Sequence, residues 1–113
     1  MASGSPINGR RYPRYEMETQ LRATNLTAQG HATVRGQSLN INEGGMAGLF
    51  SHGWEVGTHV NLQFSVPVRT DPLSVKGVVR NRAGYRYGFE FVNLTFEQKR
   101  IINRTCVTLN LLQ

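Results

Sequence analysis

The chain contains one cysteine, Cys106, few acids and no long apolar run. A single cysteine cannot close an internal disulfide, and a thiolate metal site needs more ligands than one thiol provides. This usage fits a reducing compartment. No stretch reaches the roughly 20 consecutive apolar residues of a membrane-spanning helix. Residues 1–9 hold no apolar core and do not read as a secretory signal, so a cytoplasmic protein is expected. Catalytic signatures are missing too. His31, His52 and His59 lack metal-like spacing, and there is neither a Gly-x-Ser-x-Gly elbow nor a phosphate loop with its lysine. The glycine-rich run from Gly44 to Gly48 has no lysine and no helix after it, and reads as a bulged turn. The expectation is a non-enzyme with no metal and no cofactor.

Acids number 7 Asp+Glu against 13 Lys+Arg, a net charge of +6. Such a surface attracts phosphates, nucleic acid or anionic lipid without choosing among them. At 113 residues the chain is long enough for one domain with its own core.

Periodicity supplies the scaffold. Residues 1–9 are small and polar, a flexible lead-in, and Pro13 forbids a regular helix just after them. A first strand is expected from Tyr15 to Thr24, with Met17, Thr19, Leu21 and Ala23 facing inward. Asn25 to Gly30 reads as a turn, Ala32 to Leu39 as a weak strand, and Met46 to Ser51 as a short one. Val60, Leu62, Phe64 and Val66 alternate with polar residues in the clearest strand. Leu73, Val75, Gly77 and Val79 alternate likewise. A tight turn is expected over Asn81 to Gly84, and Tyr85, Tyr87, Phe89 and Phe91 then point inward. Evenly spaced short strands imply an antiparallel sheet or small barrel, and closure removes exposed edges. The period changes at Thr95, where Thr95 and Gln98 have capping-box form. Phe96, Ile101, Ile102, Cys106 and Leu109 then share one helical face, read as core packing. Leu109 to Leu112 offer a contact surface for a partner.

Two polar stretches interrupt this scaffold. Gly9 to Tyr15 gathers Arg10, Arg11 and Arg14. Asn40 to Gly45 is a polar, glycine-broken turn between apolar runs. Guanidinium forks bind phosphate or the Hoogsteen edge of guanine bidentately, and also stack on bases. The pair reads as a site for a phosphorylated, base-bearing small molecule.

Arg10 and Arg14 ahead of a first strand, followed by Asn40, Asn42 and Gly45, resemble the paired signature of the PilZ family. Gly77-Val78-Val79-Arg80, then Tyr87-Gly88-Phe89-Glu90-Phe91 and a helix, is similar to the end of a PilZ barrel. The resemblance spans residues 10–113. It implies a six-stranded antiparallel β-barrel with a C-terminal helix, and binding of the bacterial second messenger cyclic di-GMP. By that resemblance Arg10 and Arg14, helped by Arg11, would grip phosphate and guanine. Asn40 and Asn42 would sit beside a guanine edge, and Gly45 would let the backbone approach. Asn42 departs from the pattern, which has serine there. Binding would order the arginine segment and signal to a protein partner. The alternative is an interaction module without nucleotide binding, acting in motility or pilus assembly through the last helix. Nucleic acid is the least favoured partner, since the tyrosines of the last strand alternate inward.

Overall fold

The computed structural model describes residues 13–27 and 30–113; the lead-in over 1–9 and the arginines Arg10 and Arg11 lie outside the described residues. Seven strands and one helix follow in order: β1 (Tyr15–Glu16), β2 (Gln20–Thr27), β3 (Gly30–Ile41), β4 (Gly45–Leu49), β5 (His59–Phe64), β6 (Leu73–Ala83), β7 (Arg86–Val92) and α1 (Phe96–Leu112). All pairings are antiparallel. The order β3–β2–β5–β6–β7–β4 closes on itself through β3–β4, giving a six-stranded barrel with β1 as an extra strand on β3. Closure leaves no unpaired ladder around the ring.

Alternation builds the core as expected along β5 and β7, where Val60, Leu62, Phe64, Tyr87, Phe89 and Phe91 are buried. Phe50, Trp54, Tyr87 and Phe89 meet in edge-on and stacked ring contacts, with Phe50 and Trp54 centroids 5.0 Å apart. The Tyr87 hydroxyl donates to the His52 carbonyl, which ties the β4–β5 loop onto this cluster.

Several expectations are corrected. The single strand expected over Tyr15 to Thr24 is broken between Glu16 and Gln20, although Leu21 and Ala23 do face inward. Glu16 pairs with Asn40 whereas Gln20 pairs with Gln37, so one extra residue is accommodated between them. Ser38 holds this irregularity. Its buried hydroxyl donates to the Met17 carbonyl and accepts from the Thr19 amide at 3.0 Å. The turn expected over Asn25 to Gly30 is shorter, because β2 and β3 continue pairing as far as Thr27 and Gly30. Asn81 to Gly84 is no turn up to Ala83: β6 runs on through a bulge between Val79 and Asn81, and the chain reverses at Gly84, whose φ is +62°. Tyr85, in that reversal, is 69% exposed rather than inward.

The helix closes one end of the barrel. Thr95 and Gln98 form the expected capping box. Ile101, Ile102, Thr105, Cys106 and Leu109 are buried against the barrel, while Phe96, the first helical residue, is 83% exposed and leaves the expected stripe. Burial pushes the Cys106 thiol up to about 11, keeping it protonated and unreactive. Side chains staple the helix along its length. Gln98 Nε2 donates to the Ser74 carbonyl (2.8 Å), Asn103 Nδ2 to Glu43 (3.2 Å), and Gln113 Nε2 to the Glu16 carbonyl (2.7 Å). No helix among the described residues is long and apolar enough to cross a membrane.

Candidate functional site

The β3–β4 connection is built by its own side chains. Ile41 is fully buried, so its neighbours Asn40 and Asn42 must point away from the core. Asn42 then closes a tight local loop: its Oδ1 accepts from the Gly44 amide at 2.6 Å, and its backbone amide donates to the Gly45 carbonyl at 2.9 Å. The Gly44 carbonyl accepts from the Phe91 amide at 2.9 Å, and Glu43 is held by Asn103 of the helix. The turn is therefore pinned from β7 on one side and from α1 on the other.

Glycine is required where β4 meets β7. A Cβ on Gly45 would sit on the Phe89 carbonyl oxygen, so only a bare backbone lets β4 lie this close to β7. A Cβ on Gly88 would collide with the side-chain amide of Asn81 opposite it. The result is a groove of about 420 Å³ on the outer face of β3, β4 and β7. Its lining includes Arg14, Asn40, Asn42, Gly45, Gly88 and Arg86.

Arg14 reaches this groove because of β1. Tyr15 pairs with Ile41 and Glu16 with Asn40, and one further step along the same register brings residue 14 level with Asn42. Two stretches more than 20 residues apart in sequence are thereby brought together. Of the six residues singled out from the sequence, Arg14, Asn40, Asn42 and Gly45 line one groove; Arg10 and Arg11 lie outside the described residues.

The opposite wall was not singled out from the sequence. It carries Arg80, Asn81 and Arg86, from β6 and β7. Arg80 Nε donates to Glu90 Oε1 at 2.6 Å, which orients its guanidinium and leaves the remaining N–H groups available. Three guanidiniums against one carboxylate make the groove electropositive. Its donors are forks and amides, which suit an anion that also presents hydrogen-bonding edges. No group of three or more potential metal ligands occurs among the described residues.

A model of the PilZ domain matches residues 8–107. The chain belongs to the PilZ family. Solved structures agree on the fold. The PilZ domain of YcgR from Escherichia coli, determined with c-di-GMP, is 15% identical over 91% of this chain and 92% of its own, with a TM-score of 0.71. The inhibitor of motility MotI (DgrA) from Bacillus subtilis is 17% identical with a TM-score of 0.71, covering 96% of this chain but 56% of the larger protein. MrkH of K. pneumonia, in complex with c-di-GMP, is 16% identical with a TM-score of 0.71, over 91% of this chain and 53% of its own. No curated protein matches in sequence. At these identities the likeness establishes the PilZ barrel and its helix; the ligand of this PilZ domain has to be argued from its own groove.

Proposed function

We propose that this PilZ domain is a non-catalytic receptor for cyclic di-GMP. One observation carries the reading: β1–β3 pairing brings Arg14 into the same groove as Asn40, Asn42 and Gly45. The ligand has two phosphates and two guanines. A guanidinium beside short amide side chains on a rigid rim is complementary to both. Arg14 takes phosphate or the guanine Hoogsteen edge, and Arg10 and Arg11 join it from the preceding segment. Asn40 and Asn42 face the guanine edge, and Gly45 admits the close backbone approach. Residues 10–113 act as the receptor unit. Binding fixes the arginine segment against the barrel rim, and a bacterial cytoplasmic protein partner reads that change.

Calorimetric titration of the full chain with cyclic di-GMP, with GTP as control, tests the reading. Selective micromolar or tighter binding is expected. Arg14→Ala is expected to weaken it about a hundredfold, the loss of a charge-assisted fork of about 3 kcal/mol, without unfolding the barrel. An Arg14→Ala protein that binds as tightly as the parent overturns the site.

A second reading, a protein-interaction module without nucleotide, draws on the helix end, where Leu111 and Leu112 are 79% and 73% exposed. Leu109 is buried and is not part of that surface. This reading predicts a folded protein with no calorimetric response to cyclic di-GMP.

A further inference from the structure

Strands β2, β3, β5 and β6 contain no aspartate or glutamate. Their outer surface, on the side of the barrel away from the groove, nevertheless presents Arg22, Arg35 and Lys76, all exposed. Arg22 lies directly opposite Arg35 in the β2–β3 ladder. Like charges in that position repel across about 5 Å between Cβ atoms. Arg69, Arg80 and Arg100 do find acids, in Asp71, Glu90 and Glu97, whereas Arg82, Arg86 and Arg104 likewise make no ion pair among the described residues. Among the described residues the side chains of Arg22, Arg35 and Lys76 make no ion pair and no hydrogen bond. Two depressions lie along the same wall. One of about 500 Å³ is bounded by His31, His59, Asn61 and Lys76 and, on its apolar side, by Val60 and Val92; another of about 190 Å³ is bounded by Gln20, Arg22 and Gln63.

We propose that this wall is a second anion-binding surface, separate from the nucleotide groove, which docks an acidic face of a protein partner. Charge complementarity selects an anion, because an opposed arginine pair on strands that carry no acid is relieved by two carboxylates. The neutral side chains select protein over the other polyanions. Gln20, Gln37, Asn61 and Gln63 each offer a carbonyl acceptor as well as donors. Phosphates only accept, so a phosphate lattice would leave those carbonyls unused, whereas a polypeptide brings N–H donors to them. No exposed Phe, Tyr or Trp stands on these four strands as a stacking platform for bases, since Phe64 is buried; the exposed rings are the small imidazoles of His31 and His59. Among the described residues no large exposed apolar side chain stands on the wall to enter a lipid surface. The inference does not depend on what the groove binds.

The probe is fluorescent poly-L-glutamate, followed by anisotropy with the full chain, with a short duplex DNA and phosphatidylglycerol vesicles as competing arms. The double variant Arg22→Gln/Arg35→Gln is expected to lose about tenfold or more in affinity for polyglutamate. Lys99→Gln/Arg104→Gln removes the same charge from the helix and is expected to change it by no more than about twofold. Equal losses in the two double variants would overturn the proposal, since only net charge would then matter. Tighter capture of duplex DNA or vesicles through Arg22 and Arg35 would overturn it in favour of those partners. The Arg22→Gln/Arg35→Gln protein is expected to melt no lower than the parent, because a repulsion has been removed. A clearly lower melting temperature would overturn the like-charge premise, and Lys76→Gln, remote from that pair, provides an independent loss of polyglutamate affinity.

Discussion

β3 serves two faces of one barrel, and they are built by different rules. Its first half pairs with β2 in an unbroken register from Gly30 to Gln37. Its second half pairs with β4 and β1 and carries a bulge between Ser38 and Asn40. The regular half needs only alternation, so its outward positions are free to carry Thr33 and Arg35 without geometric demand. The irregular half is carved: a bulge re-aims Asn40, a buried hydroxyl holds β1, and the bare backbone of Gly45 lets β4 lie close against β7. On the regular wall a substitution changes charge and little else. On the carved face it changes shape first.

The sharpest way to break this contrast is at Gly45. Gly45→Ala places a methyl group on the Phe89 carbonyl and forces β4 away from β7. A loss of about 2–4 kcal/mol in urea unfolding is expected, with loss of ligand binding. Gly53→Ala, in the β4–β5 loop where nothing lies within 4 Å of an added Cβ, is expected to stay within about 0.5 kcal/mol of the parent. Similar losses for the two would mean that close backbone approach at position 45 is not what shapes the groove.

Ser38→Ala should come next. It removes the hydroxyl that donates to Met17 and accepts from Thr19, leaving the buried Met17 carbonyl without that donor. A destabilisation of about 1–3 kcal/mol is expected. Because β1 positions Arg14, cyclic di-GMP affinity measured by calorimetry should fall as well, although Ser38 does not line the groove. Unchanged affinity in the destabilised protein would separate Arg14 from β1.

The alkaline limb of stability tests the helix that pins the carved face. The Cys106 thiol, ordinarily near 9.0, is raised to about 11 by burial and by Glu43. Between those values the unfolded chain releases its proton while the folded chain keeps it, so stability falls as pH rises. A decline of about 1–3 kcal/mol from pH 9 to 11 is expected in the parent, and most of it should vanish in Cys106→Ala. Persistence of the full slope in that variant would place its origin elsewhere.

Local pattern made much of this architecture legible. The alternation of β5 and β7 and the Thr95–Gln98 cap needed no partner to be recognised. Asn40 and Asn42 were legible as part of a polar, glycine-broken turn between apolar runs and by their resemblance to the family signature. Arg80, Asn81 and Arg86 were not, since they reach the groove only through the β6–β7–β4 register, which links residues distant in sequence. Ser38 was missed for a related reason: a serine on a weak strand reads as solvent-facing, and only the displaced β1–β2 pairing gives its hydroxyl a buried task. Asn81 was misread as a turn residue because its local propensity was outweighed by pairing with Gly88 across a bulge.

Asn42→Ser should have the smallest effect, and it decides what the departure from the family pattern means. Asparagine here spends its carbonyl oxygen on the Gly44 amide, which leaves its NH₂ as the group free to face the groove. A serine oxygen can accept from the same amide, as hydroxyls do more weakly in equivalent turns. The turn should therefore survive, with a cost of about 0.5 kcal/mol or less. The hydroxyl also keeps one donor directed outward, so cyclic di-GMP affinity should change by about threefold or less. Asn42→Ala removes both the cap and the donor and should fall well below either. A large gain in affinity for Asn42→Ser would mean that asparagine obstructs the groove and that this receptor is tuned weak. A near-equal result would mean that position 42 is chosen for closing its own turn, with the ligand read chiefly by Arg14 and Asn40.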